Sequence, residues 1–250
     1  MRKNNMINTD SLQKEVRKKF VPYFEKMLDI HGDKIVSAIV YGSAASDGYI
    51  SGISDINSAF IFDGLSFPVF KNSLKTVSRG ISKSVAAPLF LTKDYIFSSL
   101  DVFPIEFVDM RDNHVLVYGE DIISGLEIKD EHTRLFCEQQ VKGKLVRIQQ
   151  AYLEVGLSRK GMISLMKQSL NSLVPVFRNL IRLKGEEAPR DKSGVLQKLS
   201  ESFGLDAEVF LHIYRDSTKD EKITPDEVED LLGKFMSEID RLGDMADKLR

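Results

Sequence analysis

Residues 35–62, IVSAIVYGSAASDGYISGISDINSAFIF, constrain the fold of this chain more than any other stretch. They open with an apolar, β-branched run over residues 35–41, which predicts a buried strand. Gly42 and Ser43 end that run and begin a loop of small residues. A second apolar run over residues 56–62 predicts another strand. The stretch therefore predicts two neighbouring strands joined by a loop rich in glycine and serine.

The polar residues of this stretch include types that bind phosphate oxygens and metal ions. Gly42 lets the backbone come close to phosphate oxygens, and the Ser43 hydroxyl and nearby N–H groups can donate hydrogen bonds to them. Asp55 precedes the second strand and Asn57 follows two residues later, so both side chains should share one face of the strand. Oxygen ligands on one face can bind the same Mg²⁺ site. Residues of these types can bind phosphate oxygens and a cation.

This layout resembles the signature of the nucleotidyltransferase fold superfamily, the polymerase-β-like group with the minimal nucleotidyltransferases and kanamycin nucleotidyltransferase. The signature is an apolar residue, Gly, Gly or Ser, a spacer, and then an acid, an apolar residue, a second acid and another apolar residue. Here Tyr41-Gly42-Ser43 is followed by eleven residues and then by Asp55-Ile56-Asn57-Ser58. The one departure is Asn57, which stands where the family has its second acid.

The resemblance implies that Gly42, Ser43 and Asn57 bind ATP or another nucleoside triphosphate, and that Asp55 is catalytic and binds Mg²⁺ together with Asn57. It implies transfer of a nucleoside monophosphate to a hydroxyl of a small-molecule or protein acceptor. Asn57 keeps an oxygen ligand but lacks the negative charge, so we expect Mg²⁺ to be weakly bound. The alternative is a catalytically degenerate member that binds nucleotide and works as a sensor or protein-interaction module.

The superfamily also has a third carboxylate on a later strand, where it helps to bind metal or deprotonates the attacking hydroxyl. Residues 104–110, PIEFVDM, predict such a strand and carry two acids. Glu106 lies within an otherwise apolar run, where an unpaired carboxylate would be costly to bury, whereas Asp109 lies near the end of the run. We therefore assign the third catalytic and metal-binding position to Glu106, with Asp109 as the alternative. Another interpretation is an edge strand with both acids in water.

Further elements are predicted around these strands. A first helix should end at His31 and Gly32, with His31 as a solvated residue at the helix terminus. Short strands are expected at 88–91 and 114–118, and Thr92 can cap a short helix. An amphipathic helix is predicted by five apolar residues at spacings of three and four: Phe67, Phe70, Leu74, Val77 and Ile81.

From Ile128 onward the apolar residues follow a helical period, which predicts a bundle core. The predicted fold is an α/β (α+β) nucleotidyltransferase-like domain with a small mixed sheet over residues 1–125, followed by an all-α helical bundle over residues 126–250. The resemblance to kanamycin nucleotidyltransferase implies that such a bundle walls the acceptor site and can form a homodimer.

Composition and charge argue against several other classes of protein. A length of 250 residues with 42% hydrophobic residues suits two modest domains. The net charge of −2 gives no overall footprint for nucleic acid or an anionic membrane. The single cysteine, Cys137, excludes an intramolecular disulfide and fits a reducing compartment. The first residues lack the apolar part of a signal peptide, and no run is long enough to span a membrane. We expect a cytoplasmic protein that binds neither nucleic acid nor membrane.

Overall fold

A computed structural model describes residues 8–46, 48–52 and 54–249. The chain divides into two compact units between Ile128 and Lys129, close to the boundary after residue 125 that the sequence predicts. The first unit combines a small mixed sheet with helices, and the described part of the second is helical. The predicted fold class is therefore confirmed. Residues 1–7, on which the expected absence of a signal peptide mainly rested, lie outside the described residues.

The sheet of the first unit has four strands: β1 (Ile35–Tyr41), β2 (Asn57–Phe62), β3 (Leu89–Thr92) and β4 (His114–Gly119). Their order is β3-β2-β1-β4. β1 runs antiparallel to both β2 and β4, and β2 runs parallel to β3. The last residues of β1 and the first residues of β2 and β4 therefore lie at the same end of the sheet.

Four helices accompany this sheet: α1 (Lys14–His31), α2 (Phe67–Ile81), α3 (Lys93–Ser98) and α4 (Pro104–Asp112). Thr92 caps α3 as predicted, because its hydroxyl accepts a hydrogen bond from the backbone N–H of Tyr95 at 3.1 Å.

The strands are apolar because both faces of the sheet are covered. One face packs with α1 and α2 in a cluster that includes Phe20, Phe24, Met27, Val40, Phe60 and Val69. The opposite face packs with α3 and α4 in a cluster that includes Ile39, Ala59, Ile61, Ile96, Phe107 and Met110. Burial of each large side chain stabilises the fold by about 1.5–3 kcal/mol. Alternate residues of β1 and β2 thus belong to opposite cores.

Residues 104–110 form a helix, so the predicted strand is wrong. Pro104 occupies the first turn of α4, where a missing N–H removes no helical hydrogen bond. Short apolar runs do not distinguish a strand from a buried helix, and this run was such a case. Glu106 lies on the exposed side of α4 and not in a strand. The reason for preferring it to Asp109, its place within an apolar strand, is therefore removed.

His31 is buried, so the predicted solvated helix terminus is also wrong. The Ser73 hydroxyl donates a hydrogen bond to the Val69 carbonyl at 2.8 Å, so the Nε2–H of His31 donates to Ser73 Oγ, also at 2.8 Å. The imidazole also makes edge contacts with the rings of Phe62 and Phe90. His31 joins α1 to α2 through a polar contact inside the core.

The second unit has five helices among its described residues: α5 (Asp130–Val155), α6 (Arg159–Leu183), α7 (Lys192–Phe203), α8 (Ala207–Thr218) and α9 (Val228–Asp247). Phe210 lies between Phe177 and Phe235, with ring centroids 5.9 and 6.0 Å away. These three rings join α6, α8 and α9. In the part of the chain that the structure describes, no helix has the length and apolar character needed to cross a membrane.

Asp216 is a buried acid within this helical unit. Its carboxylate forms an ion pair with Lys167 of α6 and accepts a hydrogen bond from the Ile223 N–H at 3.1 Å. Burial alone would raise the pKa of Asp216, but these hydrogen bonds outweigh it, so the pKa is lowered. Asp216 therefore links α6 and α8 to the loop that precedes α9.

Candidate functional site

The candidate site lies at the end of the sheet where β1 stops and where β2 and β4 begin. Gly42 follows β1 with φ +72°, a conformation that favours glycine. Its N–H donates to the Asn113 carbonyl at 2.9 Å, which ties the turn to the beginning of β4. A 3₁₀ turn over Gly42–Ala45 then leads the chain away from the sheet. The positive φ explains why the sequence has glycine at this position.

Asn57, from the second part of the signature, lies close to the Gly42 turn. It lies opposite Tyr41 in the register of β1 and β2. Its Nδ2 atom is 3.7 Å from the position that a Cβ on Gly42 would occupy. The structure therefore places the Asn57 amide over the Gly42 turn.

Asp55 and Ser43 are the other predicted site residues in this region. The strand fixes the backbone next to Asp55, because the Ile56 N–H donates to the Ser84 carbonyl at 2.9 Å and the Ile56 carbonyl accepts from the Ala86 N–H at 3.0 Å. Asp55 is exposed and Ser43 is half-buried. Ile56 belongs to the core beside α1, so alternation directs Asp55 and Asn57 to the other side. Asp55 and Asn57 therefore share one face of the strand, and Ser43 directly follows Gly42 in the chain.

Two residues of this edge were not identified as site residues from the sequence. Tyr41 lies between Asn57 and His114 in the register of three neighbouring strands. Burial raises the pKa of the Tyr41 hydroxyl. His114 donates its Nδ1–H to the Met110 carbonyl at 3.0 Å, and its Nε2 lies 3.3 Å from a carboxylate oxygen of Asp121. Their neighbourhood depends on the strand register, and the sequence pattern did not predict that register.

The predicted metal ligands fit Mg²⁺ only in part. Asp55 offers a carboxylate and Asn57 a neutral amide oxygen, both of the hard type that Mg²⁺ prefers. Among the described residues, no group of three or more His, Cys, Asp or Glu side chains could hold a metal ion. Of the two signature ligands, Asp55 carries a negative charge and Asn57 does not.

The two acids considered for the third position share one helix. Glu106 and Asp109 lie three residues apart on α4, which packs on the same face of the sheet as Ile39 and Ala59. Although Glu106 is exposed to solvent, the protein around it desolvates the carboxyl in part, which raises its pKa, and the negative charge of Asp109 adds to the effect. Either acid can be a proton acceptor, and the choice of Glu106 stays a prediction.

No protein-family model and no curated protein matches this chain. Among solved structures, the chain is similar to the spectinomycin adenyltransferase AAD(9) from Enterococcus faecialis, solved with ATP and spectinomycin. The two share 13% sequence identity and a TM-score of 0.55, over 89% of this chain and 98% of the other. At this identity the likeness shows the fold, which is that of a nucleotidyltransferase-like domain followed by a helical region.

Proposed function

We propose that this chain binds a nucleoside triphosphate at the Gly42 turn and transfers its nucleoside monophosphate to a hydroxyl acceptor through a weakened metal site. The observation that carries this proposal is the approach of the Asn57 amide to Gly42, a glycine with positive φ. The fold likeness to an adenyltransferase solved with ATP supports the same choice of substrate.

The reaction assigns a separate task to each part of the site. Gly42 and Ser43 bind phosphate oxygens through backbone N–H groups and a hydroxyl. The acceptor oxygen forms a bond to the α-phosphorus, the bond from that phosphorus to the bridging oxygen breaks, and pyrophosphate leaves with the electron pair. The hydroxyl proton passes to a base, the role that we assign to Glu106. The raised pKa of its carboxylate favours proton acceptance.

Mg²⁺, when bound, neutralises charge on the phosphates and on the leaving oxygen. Asp55 would hold it, with Asn57 as a second oxygen ligand; Glu106 would be a third ligand only where it does not act as the base. Asn57 contributes a dipole where a carboxylate would contribute a charge, and charged contacts are roughly twice as strong as neutral ones. The proposed enzyme therefore needs high Mg²⁺ for turnover.

A second candidate is a sensor or interaction module that binds nucleotide without turnover. The neutral Asn57, in the position of the second acid of the signature, is the reason for this alternative. It shares the triphosphate site with the enzyme, so nucleotide binding tests both candidates and pyrophosphate release separates them.

Binding of a fluorescent ATP analogue with and without Mg²⁺ tests the shared part of both candidates. Asp55→Ala should abolish the Mg²⁺-dependent component and leave the melting temperature within a few degrees, because Asp55 is exposed. Asp63→Ala is the matched control, since Asp63 is an exposed acid just beyond the other end of β2. If Asp55→Ala binds the analogue like the parent, the triphosphate site lies elsewhere.

A further inference from the structure

α2 presents an apolar stripe to solvent. We define the α2 stripe by four exposed residues, with the exposed fraction of each: Phe67 (77%), Phe70 (45%), Leu74 (65%) and Ile81 (56%). In a helix of a globular protein, residues at this spacing ordinarily face the core. An exposed apolar patch of this kind marks an interaction surface.

The packing of α2 on α1 fixes the stripe outward. The buried residues of α2 are Val69, Ser73, Thr76 and Gly80. A Cβ on Gly80 would lie 2.9 Å from the ring of Tyr23, so only glycine permits this approach. Turning the stripe inward would remove the bond between Ser73 and His31 and would place large side chains against Tyr23. The stripe is therefore a stable feature of the surface.

The stripe continues onto β3, which is an edge strand of the sheet. The rings of Phe70 and Phe90 are 5.5 Å apart, and Phe90 lies on the face of β3 that packs with α1 and α2. β3 pairs with β2, and no other strand in the described residues lies on its outer side. The open side of an edge strand offers backbone N–H and C=O groups to an added strand. The α2 stripe and β3 thus form one surface that can accept an extended segment.

The charged residues of the local sequence around this surface are mostly basic: the nearest acids along the chain are Asp63 and Asp94, and Glu120 forms a salt bridge with Lys93. Residues 64–93 contain five lysines and arginines and no acid, in a chain of net charge −2. Lys71, Lys75 and Arg79 lie on α2, and Lys83 follows it. None of these four forms a salt bridge with a residue that the structure describes. Their charges are available to an acidic partner.

These features select among three occupants. A second copy docked across a two-fold axis would bring the same lysines together, and such like charges oppose association. A lipid surface would accept the apolar stripe and the lysines but would provide no strand for the β3 edge. We propose that the α2 stripe and β3 dock an acidic, apolar segment of a partner protein, which pairs with β3 as an added strand.

Fluorescence anisotropy of a labelled peptide, in which valine alternates with glutamate, tests this surface. The parent should bind the peptide. Lys71→Glu combined with Lys75→Glu, or Leu74→Ser alone, should weaken binding at least tenfold. Lys14→Glu combined with Lys18→Glu is the matched control, because both lysines are exposed on α1 and the change in net charge is the same. N-methylation of alternate peptide amides should also abolish binding, since it removes the donors that pair with β3.

Three outcomes overturn the proposal. One is absence of peptide binding by the parent, and another is equal weakening by the α1 control. The third is that the parent does not bind the peptide but instead binds vesicles of phosphatidylcholine and phosphatidylglycerol, or self-associates in sedimentation. In that case Leu74→Ser would abolish the vesicle binding or the self-association. The ATP analogue should bind all these variants as it binds the parent. The proposal for this surface and the proposal for the nucleotide site are therefore tested independently.

Discussion

Asn57 and Gly42 join the two halves of the site: Nδ2 of Asn57 is 3.7 Å from the position that a Cβ on Gly42 would occupy. The amide nitrogen is a hydrogen-bond donor, whereas a carboxylate at residue 57 could only accept. An anion held at the turn would therefore meet a donor group. This relationship supports the proposed phosphate site at the Gly42 turn.

The Gly42 turn should bind nucleotide through its backbone conformation. Gly42→Ala forces an L side chain to φ +72°, which should destabilise the fold by about 1 kcal/mol and weaken binding of the ATP analogue. Gly156→Ala is the control, because Gly156 has φ +56° at the end of α5 and open space around it. It should lower the melting temperature similarly without changing nucleotide binding. Equal nucleotide binding by parent and Gly42→Ala would exclude the turn.

Glu106 should be the base of the transfer reaction. Glu106→Gln should lower pyrophosphate release about 10²-fold or more, the usual effect of losing a general base. Its pKa is raised, so the rate should fall with decreasing pH at a higher pH than an ordinary glutamate would give. Asp109→Asn should have the smaller effect. The reverse result, with activity lost in Asp109→Asn and kept in Glu106→Gln, would move the assignment to Asp109.

His31 should make the fold less stable at mildly acid pH. Desolvation lowers its pKa below 6.5, and the charge of Lys34 adds to the effect. The unfolded chain then binds more protons just below pH 6.5, so the free energy of unfolding falls as pH falls through that region. The slope from this one group is at most about 1.4 kcal/mol per pH unit. His31→Gln should flatten the curve measured by urea denaturation, whereas parallel curves for parent and variant would contradict this account.

The ion pair of Asp216 and Lys167 should stabilise the helical unit. Asp216→Asn removes the charge that faces Lys167, which keeps its hydrogen bond to the backbone carbonyl of residue 216. The change should lower the free energy of unfolding by about 2 kcal/mol, less than for a fully buried pair because Lys167 is partly exposed. Its lowered pKa means that this stability is present above the ordinary pKa of aspartate and is lost as pH falls through the folded value. Asp230→Asn is the control, since the pair with Lys234 is exposed, and should have no measurable effect.

The sequence predicted elements better than it predicted which face of an element is buried. β1, β2 and the long helices of the second unit follow their apolar periods closely. The pattern of α2 also predicted a helix. Its buried face, however, is made of small residues such as Ser73 and Gly80, which allow close packing on α1, and the apolar stripe is exposed. His31 was misjudged for a related reason. Its partner Ser73 is 42 residues away, and a local pattern carries no information about such a contact.

At the site, the spacing of the signature predicted the turn and the strand, and the structure brings Gly42 and Asn57 together. It did not predict the helix that carries Glu106, because a short apolar run fits either a strand or a helix. Tyr41 and His114 were missed because strand register depends on pairing across the sheet. The positions fixed by local backbone chemistry were predictable, and those fixed by tertiary packing were not.

The central claim is that Asn57 weakens the metal site of a triphosphate-binding turn. Pyrophosphate release from ATP, measured for parent and Asn57→Asp across one Mg²⁺ series, tests it most directly. The account predicts slow release by the parent that rises only at high Mg²⁺. Asn57→Asp should shift the Mg²⁺ dependence to lower concentration, by on the order of 1–3 kcal/mol in metal binding, and should raise turnover. Rapid turnover by the parent at ordinary Mg²⁺, with no gain in Asn57→Asp, would contradict the claim.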